Sequence, residues 1–455
     1  MRKTLSKTVG YPLQDKVKGT KILETLNFLR DSQSWDQDRI RNYQNEKLKS
    51  LVNHAYKNVP FYRDTFNELK LSPSDIKTQD DLYKIPVLTK EIARRENHRL
   101  LVKNHSSLGK IKKGKTGGTT GSPLLIYKDV TDRSFTWASY YRWFEWMGIN
   151  YYDKKSTLWG AKTVLSQSTK SKFKDKATNF LLNEKTVNTF DNNEKNWKKT
   201  YDEISRFQPS ILKGYLSSLI EFAHFIEKNN LNTLKPEVLS STTETLLPHN
   251  REFLQKIFKA PIFDQYGCGE INGIAYECSA HDGLHITEEH CIVEIQNNGS
   301  NVIQGESGNL VITNLDNYVM PVIRYENGDR SSLSTKKCSC GINHSRLNSI
   351  EGRTADTIVL KNDVHVHAVF FTDIFYELGI FTDKVQRFQV IQTKVGQIIL
   401  KLECQKNLED HKEKQLRIAL KRFFSNVEIL QVVKIENSKN GKFRNIINEV
   451  SKTGK

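Results

Sequence analysis

Apolar residues recur along the chain in two different periods. Leu48, Leu51, Val52, Ala55 and Tyr56 stand at i, i+3, i+4, i+7 and i+8, the stripe of an amphipathic helix, and predict one that ends before Pro60. Leu216, Leu219, Ile220 and Ala223 repeat that spacing just after Gly214 and predict a second core-facing helix. Further on, Ile398, Leu400, Leu402 and Cys404 alternate with Lys401 and Glu403, which is the period of a half-buried strand. The preceding RFQVIQ joins it through Lys394-Val395-Gly396 as a hairpin. Leu416, Ala419, Leu420 and Phe423 then give a helical stripe, and VEILQVV a closing strand. This β-β-α-β unit of roughly 100 residues suits a small domain, with its boundary near Glu351-Gly352-Arg353.

The aromatics Trp137, Tyr140, Tyr141, Trp143 and Trp146 lie in the most apolar stretch, FTWASYYRWFEWMGINYY. Their helical spacing suits core packing and the wall of an acyl pocket equally. Arg142 and Glu145 interrupt the run, and no window supplies the ~18 uncharged apolar residues of a spanning helix. No membrane span is expected.

A chain of 455 residues suggests two or three domains at a prior of ~150 residues each. Its 37% apolar content rules out wholesale disorder, and no internal repeat or low-complexity block interrupts it. The excess of 69 Lys and Arg over 52 Asp and Glu gives +17 and favours an anionic partner: nucleotide, CoA, polyphosphate, nucleic acid or acidic membrane. Six Cys in so long a chain, with no apolar leader in MRKTLSKTVGYPLQDK, do not make a secreted disulfide framework. A cytoplasmic protein is expected.

Two phosphate-loop readings compete for one stretch. Residues 109–116, GKIKKGKT, match the P-loop pattern literally, but a P-loop needs a buried strand before it and a helix opening at its Lys-Thr. The sequence that follows, Gly117-Gly118-Thr119-Thr120-Gly121-Ser122-Pro123, cannot open a helix. The overlapping KTGGTTGSPLLIYKD offers instead a glycine backbone that can approach phosphate oxygens, with the hydroxyls of Thr116, Thr119 and Thr120.

Taken with segments elsewhere, that loop resembles the [ST]-[SG]-G-[ST]-T-G-x-P loop of the adenylate-forming superfamily. More narrowly, the chain is similar to the branch of phenylacetate-CoA ligases and their relatives in capsular polysaccharide biosynthesis. The segments run in order over nearly the whole length: HAYKNVPFYRDTF, DLYKIPVLTK, the loop at 116–123, FQPSILKGY, STTETLLP, FDQYGCGEINGIAYEC, RYENGDR, EGRTAD and NGKFR.

The resemblance implies an α/β chain with a large N-terminal adenylation domain of mixed sheets and helices, 1–351, and a small C-terminal α+β lid, 352–455. It implies ATP-dependent activation of a small-molecule carboxylic acid as an acyl-adenylate, then transfer to a thiol. CoA is the expected acceptor; an amine or a carrier is the alternative. Nucleotide contacts fall on Thr116, Gly117, Gly118, Thr119, Thr120, Gly121, Tyr266, Gly267, Asp329 and Arg353. Thr119, Glu270 and Lys442 take catalytic roles, and Glu270 holds Mg²⁺. The hinge carries Ala355 where an acid is usual, and KNDVHVHAVFF replaces a Gly-containing strand.

Cys278, His285, Cys338 and Cys340 flank the nucleotide segments. They make a candidate structural zinc site, with His281 or His344 as substitutes for His285, and some relatives in the branch carry a similar set. No nucleic-acid partner is expected, and the oligomeric state is left open. The rivals from other classes are a P-loop NTPase dependent on Lys115 and a non-catalytic basic binding protein.

Overall fold

The computed structural model describes residues 2–103, 109–115, 124–159, 176–189, 193–353, 357–360, 365–380, 385–404, 407–437 and 443–450, without the side chains of Arg353, His365 and Val369. The first helical stripe forms the Gln37–Asn58 helix, opened by Asp36, whose carboxylate accepts from Arg39 N at 2.8 Å. Val59 is extended because Pro60 follows, and Pro60 starts the next helix, Pro60–Glu68. Leu48, Leu51, Val52 and Ala55 are fully buried.

At the centre is a five-stranded parallel sheet in the order Glu184–Asn188, Lys155–Trp159, Ile211–Tyr215, Val238–Thr242, Ile262–Phe263. Alternate residues leave it on opposite faces. Leu158, Leu212, Leu239 and Ile262 pack under the helices Glu194–Phe207, Leu216–Lys228 and Pro248–Phe258. Ile211, Val238 and Phe263 pack on the other face against the helices Ile22–Ser32 and Val130–Trp146. Tyr141, Trp143, Phe144 and Met147 belong to that core, so the aromatic run is chiefly packing. Gly214 is demanded by the sheet, since a Cβ there would lie 2.6 Å from Leu158 O.

Two mostly antiparallel sheets follow. One runs Leu88–Thr89, Tyr325–Ser331, Gly308–Asn314, Cys291–Asn297, Ser300–Asn301, with Gly352–Arg353 beside Tyr325–Ser331. The other runs Arg346–Leu347, Leu284–Ile286, Ala275–Glu277, Gln265–Tyr266. Both share a core with the Gln37–Asn58 helix.

The C-terminal residues follow the predicted pattern and extend it. The hairpin Val385–Lys394 and Gln397–Cys404 closes at Lys394↔Gln397. The Asp410–Lys421 helix then returns the chain to Asn426–Val432, parallel to Gln397–Cys404. The helix Ala368–Glu377 and the strand Ile446–Asn448 complete the layer. Residue 367 precedes that helix as its N-cap. These residues form their own apolar cluster, which takes in Leu247 from before the Pro248–Phe258 helix. The chain is therefore α/β with a small C-terminal α+β layer.

A buried ion pair ties the Val130–Trp146 helix to the turn before the Cys291–Asn297 strand. Arg142 donates to Glu289 at 2.6 and 3.2 Å, and Ser32 donates to the same carboxylate at 2.5 Å. Burial alone would raise the pKa of Glu289, but the Arg142 charge, then His344, hold it down at about 2 from 4.5. Because the folded-state value is depressed, the stability it contributes is complete above about pH 4.5 and is lost as pH falls toward about 2. Glu289→Ala leaves Arg142 buried and unpaired, and is expected to lower unfolding stability by about 3–5 kcal/mol at pH 7. Chemical denaturation should show that gap narrowing as pH drops below about 4; a gap independent of pH would contradict the assignment.

Candidate functional site

The last parallel strand runs through Asp264 into Gln265–Tyr266, so Tyr266 emerges beyond the carboxyl ends of the sheet, where open α/β sheets bind ligands. Its hydroxyl donates to Asp329 Oδ2 at 2.8 Å and accepts from Asn327 Nδ2 at 2.5 Å. Asn327 Oδ1 in turn accepts from Asp329 N at 3.0 Å. Four residues beyond Tyr266, Glu270 Oε1 accepts from the Tyr325 hydroxyl at 2.8 Å, with Lys90 Nζ at 3.7 Å. Two hydroxyl-to-carboxylate bonds thus face the 266–270 segment and the Tyr325–Ser331 strand toward each other.

The turn between them is tight: Cys268 N donates to Ile271 O at 2.8 Å, and Ile271 N to Cys268 Sγ at 3.3 Å. Gly273 closes it at φ +73, where a Cβ would also meet Ser139 Oγ at 2.8 Å. Gly267 lies against it, its Cβ position 3.1 Å from Gly273 N. Tyr266, Gly267, Glu270 and Asp329 are therefore brought together. The backbone of Arg353 pairs directly with Asp329.

Thr116, Gly117, Gly118, Thr119, Thr120 and Gly121 lie outside the described residues, as do Lys442 and hinge residues 354–356. Their neighbours are informative. Lys112–Lys115 and Leu125–Lys128 pair antiparallel, with Lys115 opposite Leu125, and pin both ends of the 116–123 loop. Lys112–Lys115 lies inside the 109–116 match and is an exposed strand paired with Leu125–Lys128, not a loop that opens a helix at its Lys-Thr.

At the other end, Phe443 N donates to Glu244 Oε1 at 3.2 Å. Glu244 is held by Ser217 N at 2.8 Å and Ser217 Oγ at 2.9 Å, and burial raises its pKa. Arg387 reinforces the junction, donating to Ser217 O at 3.3 Å and to Glu221 Oε1 at 3.1 Å beneath the Phe443 ring. Glu244, Arg387 and Lys90 were not singled out from sequence. Glu244 in STTETLLP and Lys90 closing PVLTK were the available signals.

Cys278, His285, Cys338 and Cys340 converge, with their ligand atoms all within 4.8 Å of one another. Cys278 Sγ and Cys338 Sγ are 3.6 Å apart, and Cys340 Sγ is 3.3 Å from His285 Nε2. Zn–S bonds of ~2.3 Å at tetrahedral angles place sulfurs ~3.8 Å apart, so the set fits one tetrahedral zinc. His285 Nδ1 faces His344 O at 3.2 Å, which leaves Nε2 as the ligand atom. Burial lowers the His285 pKa to about 4 and keeps the ring neutral. The substitutes are engaged elsewhere: His344 with Glu289 at 3.3 Å and His281 with Glu277 at 3.3 Å.

Residues 358–449 match the family model of the CapK C-terminal domain. The chain is 25% identical over 419 residues to Protein CapK of Staphylococcus aureus, covering 90% of this chain and 89% of that one. The chain is similar to CapK and to the phenylacetate-CoA ligases. A phenylacetate-coenzyme A ligase of Thermus thermophilus is 25% identical over 382 residues, covering 79% of this chain and 80% of the relative. The crystal structure of 2-hydroxyisobutyryl-CoA ligase in the postadenylation state, in complex with R3-HIB-AMP, overlays with a TM-score of 0.76 at 16% identity, covering 92% of each chain. That likeness establishes the fold.

Metal analysis of the purified chain is expected to find about one zinc per chain. Cys338→Ser should lose the metal and lower the melting temperature, because an ion held there would join the 278–285 and 338–340 segments. Wild-type protein that is metal-free after purification without chelator would rule the site out.

Proposed function

We propose that the chain activates a carboxylic acid with ATP, giving an acyl-adenylate and pyrophosphate, and then transfers the acyl group to the thiol of CoA. The observation that carries this reading is the paired Tyr266–Asp329 and Glu270–Tyr325 arrangement beyond the carboxyl ends of the sheet. Similarity to phenylacetate-CoA ligases over about four fifths of the chain supports it. Similarity to CapK supports a role in surface-polysaccharide modification. Six free cysteines suit a reducing cytoplasm.

In this reading Asp329 accepts hydrogen bonds from the ribose hydroxyls and the Tyr266 ring stacks on adenine. Arg353 bonds the ribose or phosphate. The 116–121 backbone and the Thr116, Thr119 and Thr120 hydroxyls cradle the phosphates. Glu270 offers a hard carboxylate oxygen that would hold Mg²⁺, which when bound would neutralise phosphate charge. Lys442, adjacent to the clasped Phe443, places an ammonium where charge develops as the substrate carboxylate attacks the α-phosphorus. Residues 1–351 and 352–455 act as two domains, and a turn about 352–356 exchanges adenylation for thiol attack.

The acid enters where the strand order reverses, between Lys155–Trp159 and Ile211–Tyr215. There the Trp159 and Tyr215 rings are 4.7 Å apart, an apolar aromatic wall suited to a flat acid.

Incubation with ATP, Mg²⁺ and pooled aryl, fatty and amino acids, with and without CoA, is expected to yield acid-dependent AMP and pyrophosphate. Lys442→Ala should cut the adenylation rate by about 10²-fold or more while ATP still binds. Formation of ADP and phosphate would overturn the proposal, and full activity of Lys442→Ala would overturn the role of that residue.

A further inference from the structure

The first helical segment turns its apolar side outward. Arg2–Leu5, a π turn at Ser6–Gly10 and Tyr11–Lys18 run on without leaving helical backbone angles. The π turn sits just before Pro12, which cannot donate to the preceding turn. The inward face is small and polar at Ser6 and Gly10, and Gly10 approaches so closely that a Cβ would lie 2.3 Å from Leu181 O. Beside them Tyr11 anchors the helix, its hydroxyl donating to Leu182 O at 3.2 Å. Leu5, Val9, Leu13 and Val17, each four residues apart, are 37% to 57% exposed. A helix that needed only to pack on this protein would place such residues inward.

Both ends of the stripe carry an exposed aromatic ring beside a cation. Arg2 stacks on Phe180 at 4.5 Å and donates to its carbonyl, and Lys18 lies 5.9 Å from the Trp137 ring. Between residues 2 and 18 stand five basic residues and one acid, Asp15. Asp15 is committed to the next helix, accepting from Ile22 N and Leu23 N at 3.0 Å each. The basic surface continues past the end of the helix, where Lys110 donates to Val17 O at 2.7 Å and the exposed Lys112–Lys115 strand follows.

We propose that this helix seats the protein on an anionic lipid surface, lying in the interface rather than crossing it. The aliphatic stripe enters the headgroup boundary, Phe180 and Trp137 sit at the level of the headgroups, and Lys7, Lys16 and their neighbours meet lipid phosphates. Lys3 is paired with Asp153 at 2.6 Å, but Lys7 and Lys16 have no carboxylate partner among the described residues. An outward apolar stripe with such a cationic border and end aromatics selects an anionic bilayer over an apolar protein groove. No helix among the described residues is long and apolar enough to span a membrane. The inference does not depend on the reaction proposed above.

Flotation of the full chain with vesicles tests it. Binding is expected to phosphatidylcholine vesicles containing phosphatidylglycerol at low salt, and to fall at least about tenfold with phosphatidylcholine alone or at high salt. The double variant Val9→Glu/Leu13→Glu should lose binding at least about tenfold while keeping the wild-type melting temperature, since both side chains are exposed. Wild-type protein that does not float with anionic vesicles would overturn the proposal. So would a double variant that floats unchanged, or a wild-type dimer in light scattering that the variant abolishes without any vesicle binding.

Discussion

Two hydroxyl-to-carboxylate bonds, the half-buried one from Tyr266 to Asp329 and the buried one from Tyr325 to Glu270, hold the candidate nucleotide site in register. They join a segment that follows the parallel sheet to a strand of the neighbouring antiparallel sheet, so neither can shift without separating the acids from their donors. A hydrogen bond to a charged acceptor contributes about 1.5–3 kcal/mol, and leaving such an acceptor buried and unpaired costs more. Both carboxylates are thereby kept in fixed positions, the condition for recognising ribose hydroxyls or a hard cation.

The rest of the fold supplies boundaries to that site. The five-stranded sheet delivers Trp159, Tyr215 and Tyr266 to one end because all its strands run the same way. Glu244 carries the constraint to the C-terminal residues, accepting from Ser217 on one side and Phe443 on the other. Burial disfavours its charge, and the Ser217 and Phe443 donors work against that. The zinc-compatible Cys and His cluster is adjacent to a second polar knot, in which His344, Arg142, Ser32 and Glu289 link the metal-side loops to the first helices.

How much of this could be read from sequence depended on what each element exposes. Amphipathic elements were legible: the helix through Leu48 and Ala55, the helix after Gly214 and the C-terminal hairpin all show their period because one side meets water. The parallel strands were not, since Val238–Thr242 and Ile211–Tyr215 are buried on both faces and carry no alternation. Motif residues with a distinctive type, such as Tyr266, Asp329 and the Cys and His set, were found before their partners were known. Glu244 and Lys90 were missed because an acid or a lysine in a loop acquires meaning only from what is folded against it. The outward stripe of Leu5, Val9, Leu13 and Val17 has a helical spacing that sequence alone assigns to a core; only exposure reveals the inversion.

The central claim is that Asp329, placed by Tyr266, holds the nucleotide. Calorimetric titration of AMP into wild-type protein, Asp329→Asn and Tyr266→Phe tests it most directly. The account predicts at least about a tenfold loss of affinity for Asp329→Asn, the equivalent of one charged hydrogen-bond acceptor, and a smaller loss for Tyr266→Phe, which keeps the ring but removes one donor from the carboxylate. Unchanged AMP affinity in Asp329→Asn, with the fold intact by melting temperature, would contradict it.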